Sequence, residues 1–77
     1  MKPEEAFGLV LRNLRNQKAF SQERLALEAG LARTYVSLLE RGLRQPSLTT
    51  ILNIATVLAI PPSEILELVV KRMGKEA

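Results

Sequence analysis

Residues 21–42 read SQERLALEAGLARTYVSLLERG. Ser21 is a good N-cap for a helix that starts at Gln22, and Glu23 puts an acid in its first turn. Arg24 holds the third helical position, so there is no full capping box. Leu25, Ala26 and Ala29 form one inward stripe, and the pattern predicts a helix of about eight residues. Gly30 ends it as a left-handed C′ residue. A second helix runs from about Ala32 to Arg41, with Gly42 as its stop. Val36 and Leu39 are three apart and face inward. The small Ala26 and Gly30 let the two helices approach closely at a steep angle, which Leu31 and Val36 fill. Two short helices joined this tightly make a helix-turn-helix, whose second helix can enter the major groove of DNA.

The rest of the chain reads as helices around this pair. No useful length alternates β-branched with polar residues, so strands are not expected. Phe7, Leu11 and Leu14 mark a first helix over about Pro3–Gln17, with Pro3, Glu4 and Glu5 suited to its first turn. Pro46 breaks the chain after the third helix. Ser47 caps a fourth, whose core stripe is read as Leu48, Ile51, Ile54, Ala55 and Leu58. Pro61-Pro62 forces a further break, and a fifth helix over about 62–72 carries Ile65, Leu66, Val69 and Val70. The expectation is an all-α, compact five-helix domain spanning residues 1–77, with its helix-turn-helix at about 21–41.

With 77 residues and 47% apolar composition, the chain can build one small core. It contains neither Cys nor His. That excludes disulfides, thiolate metal sites and imidazole catalysis, and suits a reducing compartment. No signal peptide or membrane-length apolar run is visible, so a cytoplasmic location is expected, with no membrane partner. The net charge is +3, but between Arg12 and Gln45 seven basic residues face only three acids. A basic middle favours a polyanionic partner, nucleic acid first.

If Val36 and Leu39 face the core, then Ala32, Arg33, Thr34 and Ser37 face out. Arg33 suits a bidentate contact to guanine. Thr34 can bond a base or meet a thymine methyl, Ala32 is small enough to allow approach, and Ser37 is a further base candidate. Backbone contacts are expected from Gln22 at the start of the second helix, from Tyr35 through its hydroxyl, and from Arg41, Arg44 and Gln45 at the far end. Glu40 does not fit a DNA face. It is expected to pair with Arg15 on the first helix and hold helices one and three together.

The text LRNLRNQKAFSQERLALEAGLARTYVSLLERGLRQPSLTTILNIATVLAI resembles the phage-repressor-like helix-turn-helix family of Cro/XRE type. Within it, ARTYVSLLERGLRQPSL is similar to the controller proteins of restriction–modification systems. That resemblance implies a small five-helix dimer that binds an operator upstream of its own gene. It also implies groove contacts from Arg33, Thr34, Tyr35 and Ser37, and backbone contacts from Gln22, Arg41 and Arg44. The family usually has Gly where Ala19 stands; a left-handed Ala there costs about 1 kcal/mol. Leu43 and Pro46 also depart from the more polar loop of many controllers.

One recognition helix reads too few base pairs for useful specificity, so a homodimer on a palindromic operator of double-stranded DNA is expected. The candidate interface is Leu66, Val69 and Val70, with Val57 or Leu43 nearby. RNA polymerase is a further candidate partner. No cofactor, metal, catalytic residue or small-molecule ligand is expected. The alternatives are a prophage-type repressor, or a DNA-binding antitoxin whose spare surface for a toxin would be the KRMGKEA tail.

Overall fold

The computed structural model describes residues 1–74. Lys75, Glu76 and Ala77, the end of the tail read as a toxin surface, lie outside the described residues. Five helices follow one another: α1 Pro3–Gln17, α2 Gln22–Ala29, α3 Arg33–Glu40, α4 Leu48–Leu58 and α5 Pro62–Arg72. Strands are absent among the described residues, and the all-α architecture expected from the sequence is the one observed. No single helix among them is long and apolar enough to cross a membrane.

Two of the helix starts, those of α2 and α4, follow serines. Ser21 Oγ accepts from the Arg24 N–H at 3.0 Å, and Ser47 Oγ accepts from the Thr50 N–H at 3.0 Å. At α1 the Glu5 carboxylate reaches back to the Lys2 N–H at 2.9 Å. The helix ends share one device, used four times. A left-handed residue follows the helix, and the next N–H turns back to a carbonyl five residues earlier. The bonds are Phe20 N–H to Arg15 O, Leu31 N–H to Ala26 O, Leu43 N–H to Leu38 O and Ile60 N–H to Ala55 O, at 2.8–3.1 Å. Gly30 and Gly42 supply two of the left-handed residues. Ala19 (φ 58°) and Ala59 (φ 54°) supply the other two, against the steric preference of an L-residue. In each case the residue that turns back is apolar, and Phe20, Leu31 and Ile60 then pack on the core.

The core takes Ala6, Phe7, Val10 and Leu11 from α1, Leu25 and Ala26 from α2, and Val36 and Leu39 from α3. Ile54, Ala55 and Leu58 come from α4, and Ile65 and Val69 from α5. Helix α1 packs on α3 and α5, α2 on α3 and α4, and α4 on α5. Two expectations need correction. Leu48 is 70% exposed, not core. It is the first residue of α4, so its side chain projects past the end of the core that Ile51, Ile54 and Leu58 reach. Val69, expected in a dimer interface, is 8% exposed and packs inside the monomer. It therefore has little surface to offer a second copy.

One contact fixes the angle of α3. A Cβ built on Gly8 of α1 would strike the carbonyl oxygen of Leu39, and would lie 2.7 Å from that of Glu40. The two helices thus meet backbone against backbone at the C-terminal end of α3, an approach only glycine allows.

Candidate nucleic-acid interface

Helix α3 is held from behind and open in front. Val36 and Leu39 are fully buried, while Ala32, Arg33, Thr34 and Arg41 are exposed, and Tyr35 and Ser37 are half-buried. Tyr35 packs partly against the core. Arg44 and Gln45, in the loop before α4, are exposed. Of the outward set expected from the helical period, Ala32, Arg33 and Thr34 are exposed, whereas Ser37, one turn further in, is half-buried.

The N-terminal end of α3 differs from the other helix starts. Helices α1, α2 and α5 carry an acid in their first turn, and α2 and α4 have serine caps. Helix α3 has neither: its N-cap is Ala32, with no side-chain cap and no first-turn acid. The first backbone bonds into it come from Tyr35 and Val36. The N–H groups of Arg33 and Thr34 therefore point out of the helix end, where the helix dipole is positive and uncompensated. Such an end is suited to phosphate oxygens or base acceptors.

Around it the charges are weakly held. Arg33 Nε lies 4.0 Å from Glu23 Oε1 with both side chains largely exposed, a surface pair that DNA can displace at little cost. Arg41 and Arg44 make no ion pair among the described residues. A shallow hollow lined by Arg15, Ser21, Gln22, Glu23 and Arg33 joins the start of α2 to the start of α3. Arg24 is less available: it pairs with Glu28 at 2.8 Å and stacks on the Phe20 ring at 3.9 Å.

The opposite end of α3 is locked. The Glu40 side chain has no exposed surface, and the Arg15 side chain keeps 11%. Glu40 Oε2 accepts from Arg15 Nε at 2.6 Å, and its Oε1 accepts from Arg15 Nη2 at 3.0 Å. Arg15 Nη1 also donates to the Phe20 carbonyl at 2.7 Å, which ties in the α1–α2 turn. The expected Arg15–Glu40 pair is present, with two partners that sequence reasoning missed. Gln22 Nε2 donates to Glu40 Oε1 at 3.1 Å, and Arg12 Nε does so at 3.4 Å. Burial pushes the Glu40 carboxyl up. The hydrogen bonds from Arg15 and Gln22 and the Arg15 charge outweigh it, so the group stays below the ordinary glutamate range. The hydrogen bond to Glu40 raises the Arg15 guanidinium, against a smaller lowering by burial. One buried carboxylate thus gathers α1, the start of α2 and the end of α3. The only hint of Arg12 is its place three residues before Arg15, on the same face of α1; nothing in the sequence points to the Gln22 bond.

Comparison with known proteins bears directly on this geometry. The helix-turn-helix family model matches residues 11–65, which span α2, α3 and α4 entire. The control protein C.BamHI of Bacillus amyloliquefaciens is 44% identical over 62 residues, covering 79% of this chain and 76% of that protein. The crystal structure of the restriction–modification controller protein C.AhdI from Aeromonas hydrophila superposes with a TM-score of 0.78 at 50% identity. That match covers 80% of this chain and 94% of the controller. The controller C.Esp1396I, solved as a tetramer in complex with its natural 35 base-pair operator, gives a TM-score of 0.85 at 27% identity, over 97% of this chain and 99% of that one. With its five helices, its open α3 and these matches, the chain belongs to the Cro/XRE-type helix-turn-helix family of DNA-binding regulators and stands within it beside the restriction–modification controllers.

Proposed function

We propose that this protein is the autoregulatory controller of a restriction–modification operon, binding as a homodimer to a palindromic operator upstream of its own gene. The observation that carries the reading is the uncapped, acid-free start of α3, rigidly mounted and bearing Arg33 and Thr34. In this reading Arg33, Thr34 and Ser37 read bases, with Ala32 allowing close approach. Tyr35, Arg41, Arg44 and Gln45 hold the backbone and set register. The Gln22 amide gives one of its two N–H groups to Glu40, which leaves the second, with the free backbone N–H groups of Gln22 and Glu23, for a phosphate at the start of α2. Leu66, 47% exposed, and the half-buried Val70 supply the apolar flank of α5 for a second copy. Their i, i+4 spacing places them side by side. Among the relatives, the tetramer on a 35 base-pair operator supports self-association on DNA.

The test is binding of purified protein to the DNA upstream of its own gene, against random DNA of equal length, across a salt series. Sedimentation of the free protein is run alongside. Tight, salt-sensitive binding to a palindrome by a dimeric species is expected. Equal weak binding to both DNAs, or a monomer in the complex, would refute the proposal.

A further inference from the structure

Helix α1 has two flanks. One carries Gly8, Arg12 and Arg15 and faces α3. On the other, Val10, Leu14 and Leu68 of α5 form the apolar floor of an open groove. Asn13 and Gln17 stand along one wall, and Lys71 and Arg72 along the other. The groove continues past Leu14 and Gln17 into a second hollow bordered by Lys18, Ile60 and Glu64. Three cations therefore face one acid. Lys18, Lys71 and Arg72 make no ion pair, and the Asn13 and Gln17 amides make no hydrogen bond, among the described residues.

At about 100° per residue, the midpoint of Asn13 and Gln17 lies about 140° around α1 from that of Gly8 and Arg12. A molecule in this groove would leave α3 free. On α5 the same helical period puts Leu68 and Lys71 on the flank away from Leu66 and Val70, so the groove and the apolar flank of α5 do not compete.

We propose that this groove is a docking site for an acidic amphipathic helix of another protein. Apolar residues at i, i+3, i+4 and i+7 fit the Val10–Leu14–Leu68 floor, which is the usual mode of helix-in-groove recognition. Carboxylates on that helix's flanks meet Lys18, Lys71 and Arg72. Unpaired side-chain amides at the wall offer further donors. A second copy is a poor occupant, because the groove and the chain as a whole are both net positive. DNA held by α3 does not reach this side. The site would let the regulator hold operator and protein at once.

The experiment uses the full chain, labelled with nitrogen-15, and two synthetic helical peptides. Both carry Leu at i, i+3, i+4 and i+7; one has Glu on the flanks and the other Lys. Anionic phosphatidylglycerol vesicles are a third probe. The Glu peptide is expected to shift the Asn13 and Gln17 side-chain amide signals and leave those of Ala32–Ser37 in place. Lys71→Glu with Arg72→Glu, both exposed and outside the DNA face, is expected to weaken that binding roughly tenfold and to leave the fold unchanged by circular dichroism. Prior binding of DNA is expected to leave peptide affinity unaltered. Equal binding of the Lys peptide, shifts confined to α3 or to the Leu66 flank, no shift at all, or stronger capture by the vesicles would each overturn the proposal.

Discussion

At the C-terminal end of α3, Glu40 is sealed from water and receives hydrogen bonds from α1 and α2. At the N-terminal end, seven residues earlier, Arg33 stands in solvent beside backbone N–H groups with no protein partner. Both ends carry charge, and the contrast lies in what satisfies it. The buried end uses its charge to fix direction, since a carboxylate taken out of water is tolerable only with its donors correctly placed. The open end leaves its donors for something outside the protein. A short helix can then be aimed without being covered.

The largest effect should come from unlocking the fixed end. Glu40→Ala leaves the Arg15 guanidinium nearly buried without its carboxylate, a change that typically costs about 3–5 kcal/mol. That is a large share of the stability of a small domain. Urea unfolding measures it, and a loss below about 1 kcal/mol would mean that the network is not the anchor. The same site sets an acid response. Because the folded carboxyl lies below its unfolded value, its stabilisation is complete above the ordinary glutamate range. It is lost as pH falls through that range toward the folded value. Glu40→Gln should flatten that part of the stability–pH curve.

Gly8→Ala attacks the same end through shape. The added methyl meets two backbone carbonyls, and overpacking of this kind costs about 1–3 kcal/mol. Thermal melts should show a lower Tm, and the specific-to-random DNA affinity ratio should fall as α3 tilts. An unchanged ratio would separate stability from aim.

The open end should respond in affinity alone. Arg33→Ala is expected to lose about 1–3 kcal/mol on the operator, with little change on random DNA. Arg44→Ala should weaken both and reduce the salt slope by about one. Fluorescence anisotropy at several salt concentrations distinguishes the two, and identical behaviour would erase the division between reading and holding. Smallest is Ala59→Gly, which relieves the left-handed strain at the end of α4. It should stabilise the fold by about 0.5–1 kcal/mol in the same urea assay without altering DNA binding.

Much of the open end was legible in the sequence, because exposure follows the helical period. Once Val36 and Leu39 are inward, Arg33 and Thr34 have one direction left. The Arg15–Glu40 pair was legible for the same reason, as an acid on the wrong face of a basic helix. Period alone does not say where a core stops: it places Leu48 in the core stripe and leaves Val69 for an interface, and the fold does neither. Nor does it register backbone approach: Gly8 sits in a helix interior, where glycine ordinarily signals only weakness. The left-handed Ala59 lacks the glycine that marks such a turn. Nor does the sequence pair Gln22 with Glu40, because the two meet only where the start of α2 reaches the end of α3 in the fold.

The locked end has a calorimetric consequence. Since α3 is already built and aimed in the free protein, meeting DNA requires no helix to form. The heat-capacity change on binding should then be small, without the large negative value that accompanies coupled folding. The binding enthalpy should vary little between cold and warm growth conditions. Free energy would come chiefly from ions released by Arg41, Arg44 and their neighbours, so the regulator would respond to the salt around it far more than to temperature.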